Sequence, residues 1–204
     1  MRWCRQGSVE RKFFLPAPVL PKDEVLNRVF GIFQTYGYEG ATLARISEST
    51  GLGRASLYHY FPGGKDQMAR EVLAIAQGWL RQNIFAPLTG PGSVAARLKA
   101  MMQSLRAAYD DGRRSCVINL LGVGEADGKF HAELNLTIDV WLRGLERLFR
   151  GSGIAAARSR RLAVDTVVRI EGALVVARAL GDTAVFTRTL TDLERELNVE
   201  LSHA

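Results

Sequence analysis

Apolar side chains recur through most of this chain at intervals of three and four residues, which is the spacing of one face of an α-helix. The first series begins after Lys22 and comprises Val25, Val29, Ile32, Phe33 and Tyr36. Gly37 follows directly, and glycine is the residue that most often ends a helix. The pattern therefore predicts a first helix between these two points.

A second, short helix is expected after Thr42, which is a good N-cap, with Leu43 and Ile46 pointing inward. Gly51 suits the left-handed conformation that reverses a chain sharply, and a third helix is expected at residues 54–60. Two short helices that are joined by a glycine turn and lean on a longer helix form a helix-turn-helix.

Helical spacing of apolar residues continues through residues 68–204. One helix is expected to end before the break at residues 87–92, with an apolar face formed by Met68, Val72, Ala76, Trp79 and Leu80. Ser93 is the expected N-cap of the next helix, whose inward residues are Leu98, Met101, Met102 and Leu105. Residues 116–123 fit a helix or a strand, and their helical surroundings favour a helix. Long helices are expected at 130–150 and 156–180, and a last one contains Phe186, Leu190, Leu193, Leu197 and Leu201.

Neither internal repeats nor alternating strands and helices are found, so the sequence predicts an all-α fold. The first 21 residues lack helical periodicity and contain three prolines, and we interpret them as a mobile basic arm or an upstream-start artefact. Arg2, Arg5, Arg11 and Lys12 of this arm could follow a neighbouring phosphate backbone.

Charge narrows the function only in part. The 204 residues have a net charge of +6, which would suit a nucleic-acid partner. Residues 1–21 contain four basic side chains and one acidic side chain, whereas residues 22–66 contain five of each. The bulk charge is therefore weak evidence for DNA binding, and the local arrangement has to decide.

Cys4 and Cys116 form neither a CxxC pair nor a Cys/His cluster, and no secretory signal is visible. We therefore expect a cytoplasmic protein without a metal ion or another cofactor. Four charged residues interrupt the most apolar later stretch, at residues 162–180, and exclude a plain transmembrane span.

The third predicted helix has the residues that a recognition helix needs, because such a helix places its first residues against base edges in the major groove. Arg54 can bind guanine O6 and N7, and Ser56 can hydrogen-bond to a base. Ala55 is small enough for a close approach or for contact with a thymine methyl group. Leu57 and Phe61 point inward and fix the helix to its neighbours.

The hydroxyl groups of Tyr58 and Tyr60 can donate hydrogen bonds to phosphates, and His59 can meet the backbone or the bases. Thr42 and Lys65 lie at the starts of helices, where free backbone N–H groups and the helix dipole favour a phosphate. The alternative is a compact three-helix bundle in which the aromatic side chains serve only for packing.

The segment TLARISESTGLGRASLYHYF at residues 42–61, followed by Lys65, resembles the signature of the TetR family of bacterial transcriptional regulators. The resemblance covers about residues 22–70 and keeps T-x-x-x-I, G-[LV]-[GS], L-Y-x-[HY]-F and the lysine in register. Pro62, Gly63 and Gly64 give one residue more than the commonest spacing, in the PGGK form of a subgroup. Leu43 replaces a basic contact residue of some members, so that contact is absent here.

The resemblance implies an all-helical homodimer with two domains after the arm at residues 1–21. These are a helix-turn-helix DNA-binding domain at 22–67 and a larger helical domain for ligand binding and dimerisation at 68–204. A small molecule bound to the larger domain would release the protein from its operator. By position, the implied base-facing residues are Arg54, Ala55, Ser56 and His59. The implied phosphate contacts are Thr42, Tyr58, Tyr60 and Lys65.

The helix expected at residues 156–180 is apolar on more than one face, as a helix that is buried on both sides would be. Its apolar residues are Leu162, Val164, Val167, Val168, Ile170, Leu174, Val175 and Val176. Together with the last helix it would suit a four-helix dimer interface, in which Gly172 allows close approach, and the alternative is an intramolecular core helix. Two-fold symmetry would place two recognition helices about one DNA turn or somewhat more apart and predicts a palindromic operator.

A ligand pocket is expected among residues that are apolar or adaptable, with ordinary core filling as the alternative. The candidates are Met101, Leu105, Cys116, Leu120, Trp141, Leu145, Arg169 and Leu174. Asp165 and Arg169 are four residues apart and could instead pair with each other.

Two other classes of protein were weighed. An enzyme is disfavoured because His59, His131 and His203 are widely spaced and lack a nucleophile or carboxylate partner. A metal site is disfavoured because Asp127 and His131, four residues apart, are only two candidate ligands. An interaction module that no longer binds DNA is the other alternative. The expected function is a dimeric, ligand-responsive regulator of transcription, and family analogy favours a repressor over an activator.

Overall fold

The computed structural model describes residues 20–122 and 128–203, and every regular element in these two ranges is helical. The predicted all-α fold is confirmed. Apart from its last two residues, the predicted N-terminal arm lies outside the described residues, as do Cys4, Val123 and Asp127. None of the described helices combines the length and the hydropathy that crossing a bilayer requires.

The first helix, α1 (Lys22–Gly40), has Asp23 and Glu24 in its first turn, where negative charge complements the helix dipole. Its path breaks at Gly37, whose φ of 67° lies in the left-handed region that glycine tolerates best. The predicted apolar face is largely confirmed, since Val25, Val29 and Phe33 are fully buried. Tyr36 is the exception and is 47% exposed.

Two short helices follow, α2 (Leu43–Thr50) and α3 (Arg54–Tyr60). The next helix, α4 (Gly64–Leu80), passes through a π-helical turn (Arg81–Phe85) into α5 (Ala86–Thr89). The helix α4 thus ends before residue 87, as expected, although helical turns continue beyond it to Thr89. Proline is tolerated in a first helical turn, and the Ala86 N–H bonds to the Arg81 carbonyl in the wider turn just before Pro87.

The sixth helix, α6 (Val94–Ala108), begins as predicted, because the Ser93 hydroxyl oxygen accepts a hydrogen bond from the Ala96 N–H at 3.2 Å. The chain then turns at Gly112, where a Cβ atom would lie 2.8 Å from the Cβ of Phe186, so a larger residue would not fit there without a shift. The segment of uncertain type is helical, as α7 (Val117–Leu121).

Three long helices complete the fold: α8 (His131–Gly151), α9 (Ala156–Leu180) and α10 (Ala184–Ser202). The helix α9 packs against both α8 and α10. Buried side chains from α1 through α10 form one hydrophobic cluster. The packing is thus continuous across the boundary that we expected between residues 67 and 68.

Candidate nucleic-acid interface

The start of α2 is fixed by its own sequence. The Thr42 side-chain oxygen accepts a hydrogen bond from the Arg45 N–H at 3.3 Å, which satisfies one of the free donors at the helix start. Ile46 is fully buried, whereas Thr42 itself is exposed. The start of α2 is thus held in place by the buried Ile46, while its N-cap residue, Thr42, is open to solvent.

The turn between α2 and α3 depends on Gly51, which ends α2 with a φ of 73°. The buried Thr50 hydroxyl donates to the Ile46 carbonyl at 2.7 Å, and the same oxygen accepts from the Leu52 N–H at 3.3 Å. Arg28 of α1 donates to the Ser49 carbonyl at 3.2 Å. These contacts fix the angle between the two short helices against α1.

The helix α3 separates its side chains sharply between two faces. Leu57 and Phe61 are fully buried, as expected. The other face is exposed and contains all four residues that were expected to face bases: Arg54, Ala55, Ser56 and His59. The structure thus presents these four side chains together on one solvent-facing surface, and their base contacts remain a prediction.

The four expected phosphate contacts have different surroundings. Thr42 and Tyr58 are exposed, and Tyr58 shows 41% of its surface. The Tyr60 hydroxyl donates to the Leu20 carbonyl at 2.6 Å. Lys65 donates from Nζ to the Tyr38 carbonyl at 3.0 Å. Phosphate contacts by Tyr60 or Lys65 would have to replace or share these internal bonds.

The additional glycine before Lys65 has a structural role. Gly64 has a φ of 63°, which other residues rarely adopt, and a Cβ atom there would lie 3.4 Å from Cε1 of Tyr58. The Gly63 N–H is bound by the side-chain oxygen of Gln67 at 2.8 Å. The glycine pair therefore lets α4 begin tightly against the Tyr58 ring.

A basic side chain that the sequence analysis did not single out lies beside Thr42. The Arg45 guanidinium stacks on the exposed Tyr36 ring at 4.4 Å from its centroid and donates to the Gly40 carbonyl at 2.7 Å. The sequence could have indicated this residue, because Arg45 is a cation on the exposed side of α2, three residues after the N-cap Thr42. It adds a positive charge at the end where Leu43 lacks one.

The ring of Tyr38 joins this unit to the helices behind it. Its hydroxyl group is bonded to Asp66 of α4 and accepts from Lys129, which precedes α8, at 3.0 Å. Burial and the Asp66 carboxylate raise the pKa of Tyr38, and the hydrogen bond from Tyr38 lowers the pKa of Asp66. The cluster therefore holds the end of α1 and the starts of α4 and α8 together.

The expected ligand-pocket residues are not brought together. Met101, Leu105, Trp141 and Leu145 are fully buried in the packed core. Arg169 lies on the surface between α9 and α10, where it pairs with Glu196 at 2.7 Å and, as the alternative predicted, with Asp165 at 3.7 Å. Three of the eight, Cys116, Leu120 and Leu174, line a cavity of about 300 Å³. The structure thus disperses the eight residues between the core, this cavity and the surface, and a ligand contact by any of them remains a prediction.

Polar groups meet behind Cys116. The Tyr109 hydroxyl lies 3.4 Å from the Cys116 sulfur, and burial raises the pKa of the thiol to about 12. Asn119 donates to Oε2 of Glu171 at 2.6 Å, whereas the buried Oε1 has no hydrogen-bond partner among the described residues. Burial raises the pKa of Glu171 to about 7. The three helices α6, α7 and α9 thus meet at a buried polar cluster.

The outer face of α9 is apolar and exposed. Its inner face is buried, as at Ile170 and Leu174, whereas the outer side shows Val164, Val168, Val175, Val176 and Leu180. Gly172 lies on this outer side, where an added Cβ atom would meet nothing within 4 Å. Packing among the described residues accounts for the inner face and leaves the outer face exposed.

Two family models match this chain. Residues 30–72 match the model for bacterial regulatory proteins of the tetR family. Residues 93–191 match the model for the C-terminal domain of LmrA/YxaF-like transcriptional regulators. The matches therefore include α2 and α3 as well as most of the helices behind them.

The individual proteins that this chain resembles are also regulators of transcription. The chain is 25% identical to the HTH-type transcriptional regulator LmrA of Bacillus subtilis over 167 residues, which cover 76% of this chain and 85% of the relative. Over 51 residues, 25% of this chain and 26% of the relative, it is 45% identical to the HTH-type transcriptional repressor AcnR of Corynebacterium jeikeium. Its fold resembles that of a cysteine mutant of the regulator CifR in complex with a 26-bp operator DNA, with a TM-score of 0.73, 24% identity, and coverage of 89% of this chain and 97% of the other.

Proposed function

This chain belongs to the TetR family of bacterial transcriptional regulators, and on that premise we propose that it is a dimeric repressor that a small molecule releases from a palindromic operator. It is a transcriptional regulator with a DNA-binding helix-turn-helix and not an enzyme, since its family and relatives are regulators. The repressor role is supported by the name of AcnR. We also propose a cytoplasmic location, because the operator would be there.

The observation that supports DNA recognition most directly is the two-sided character of α3. Its buried side, Leu57 and Phe61, anchors the helix, so the exposed side can enter a major groove without loss of the fold. Arg54 at the helix start would bind guanine, and Ala55 and Ser56 would lie closest to the neighbouring bases.

Phosphate contacts would surround this helix on both sides. Thr42 and Tyr58 are exposed and have polar atoms available for a phosphate. We add Arg45 to the expected set, because its guanidinium lies on the exposed side of α2 with one of its five donors bound to Gly40. Tyr60 and Lys65 would join after exchange of their internal partners.

Dimerisation is supported by the outer face of α9. Exposed apolar patches of this kind mark interaction surfaces, and a two-fold axis would bring the same face of a second copy onto it. The resulting dimer would place two α3 helices roughly 34 Å or somewhat more apart, which is one turn of DNA. A palindromic operator follows from that symmetry.

The test is selection of genomic fragments on the purified protein, followed by fluorescence anisotropy at several salt concentrations. We expect a palindromic sequence whose binding weakens steeply with salt. Arg54→Ala should remove the preference for one base position, by roughly five- to 150-fold, since a bidentate base contact discriminates by about 1–3 kcal/mol. Tyr58→Ala should weaken binding to all sequences alike.

The matched control is Arg150→Ala, which removes an exposed arginine from α8 and should leave affinity and base preference unchanged. If no sequence is enriched, and if binding depends neither on salt nor on Arg54 and Tyr58, the helix-turn-helix does not bind DNA in this protein. The interaction-module alternative would then stand, and a protein partner should be sought.

A further inference from the structure

A cavity of about 470 Å³ lies between α1, α4, α6 and the segment that leads into α7. Its volume falls within the range of small-molecule sites, about 300–1,000 Å³. Phe30 of α1, Ile75 and Trp79 of α4, and Ile118 of α7 supply apolar walls. The cavity is therefore large enough and apolar enough to bury a small organic molecule.

The charged lining of the cavity is positive. Among the described residues that line it, none is acidic and one is a cation, Arg114, which lies at the exposed rim. The Arg114 side chain has no ion pair with any described residue, whereas its neighbour Arg113 pairs with Asp110 at 3.4 Å. Asn27 and Gln34 of α1 add uncharged amide groups. A ligand that complements this lining is apolar over most of its surface and carries one negative charge.

We propose that this cavity is the effector site and that its ligand is an apolar molecule with a single anionic group, which pairs with Arg114. The proposal rests on the proposed function for the idea that an effector exists. It assigns a site that only Cys116 shares with the set expected from the sequence.

The position of the cavity gives a ligand direct contact with the DNA-binding unit. Phe30 and Gln34 belong to α1, the helix that packs against α2, which in turn packs against α3. Hydrogen bonds join α1 to the segment before α7 and to α9: Gln34 donates to the Ser115 carbonyl at 3.0 Å, and Arg178 donates to the Thr35 carbonyl at 3.3 Å. A ligand that is wedged between α1 and α6 therefore changes the position of α1, and with it the spacing of the two recognition helices of a dimer.

The test uses two fluorescent probes with the same aromatic skeleton, of which only one is charged. These are 8-anilinonaphthalene-1-sulfonate, which has a sulfonate group, and N-phenyl-1-naphthylamine, which has none. Each is titrated into the full chain. We expect the sulfonate probe to bind at least about fivefold more tightly, which is the scale of one charged contact.

Three variants locate the binding. Arg114→Gln should abolish the preference for the charged probe, while Arg113→Gln, the matched control outside the cavity, should keep it. Ala108→Phe fills the cavity from α6 and should weaken both probes at least tenfold. Ser104→Phe, one turn earlier on α6, repeats the filling test if Ala108→Phe folds poorly.

Equal affinity of the two probes for the unmodified chain, or unchanged binding in a folded filled variant, overturns the proposal. Operator binding is measured in parallel. Without any probe it tests the proposed function alone, because a failure there is independent of the cavity. With the sulfonate probe, the same measurement tests whether the cavity is coupled to DNA binding through α1. The role of α1 is refuted if the probe binds in the cavity, as its loss in the filled variants shows, but leaves operator affinity unchanged.

Discussion

Replacing Glu171 with glutamine should make the protein more stable at neutral and alkaline pH. The carboxyl group is buried between α7 and α9, and its Oε1 has no hydrogen-bond partner within bonding geometry among the described residues. Burial raises its pKa, and the side chains of Cys116 and Asn119 oppose part of that rise. Burial favours the neutral form, so the folded chain holds this proton more tightly than the unfolded chain does. Glutamine has nearly the same shape, keeps an acceptor for Asn119, and is neutral at every pH.

The magnitude follows from the two pKa values. The pKa of the Glu171 carboxyl group is 4.5 in its ordinary environment, which represents the unfolded chain, and about 7 in the folded chain. Each unit corresponds to about 1.36 kcal/mol, so the wild type should lose up to roughly 3 kcal/mol of stability as the pH rises from below 4.5 to above 7. The direction is set by proton binding, because in this window the unfolded state has released a proton that the folded state retains.

The assay is urea denaturation at several pH values between 4.5 and 8.5, at a fixed protein concentration because the chain is proposed to be a dimer. The free energy of unfolding of Glu171→Gln minus that of wild type should increase with pH by up to roughly 3 kcal/mol. Glu146→Gln, on α8, is the control for the loss of one carboxylate. A difference for Glu171→Gln that does not change with pH would refute the reasoning.

Three further predictions concern the backbone, the dimer and the DNA contacts. Gly64→Ala should destabilise the protein by about 1–2 kcal/mol in urea denaturation, because φ is positive at this residue. Gly31→Ala, inside α1, is the control and should stabilise the protein by up to about 1 kcal/mol, because an added Cβ atom meets nothing within 4 Å. Val168→Asp should convert the proposed dimer to monomers in sedimentation velocity, and Leu136→Asp, at a similarly exposed residue on α8, should not. Arg45→Gln should lower operator affinity and reduce the salt slope by about one unit in anisotropy titrations, and an unchanged slope would exclude a phosphate contact.

The sequence predicted the helices well because their determinants are local. Capping by Thr42 and Ser93 and the left-handed turn at Gly51 each involve residues within a few positions of one another. The exposed and buried sides of α3 follow from helical periodicity in the same way. Local signals therefore sufficed for the helix-turn-helix and its candidate DNA-facing surface.

The partners of Tyr60 and Lys65 could not be predicted in this way. Tyr60 bonds to a carbonyl 40 residues away, and Lys65 to one 27 residues away. The cavity is a stronger case, since its walls come from α1, α4, α6 and the start of α7. Residue type suggested Trp141 and Met101 as ligand contacts, but their position in three dimensions places them in the packed core.

The uninterrupted hydrophobic cluster across residue 67 also limits how freely this regulator can be recombined. A chimaera that joins its first 67 residues to the sensor of a relative would have to match Gln34 and Thr35 with the counterparts of Ser115 and Arg178. On the proposed effector response, a chimaera without those matches would bind DNA but would not respond to the relative's ligand. A biosensor based on the proposed function should therefore change operator preference through the exposed residues of α3 and keep α1 with its own C-terminal helices.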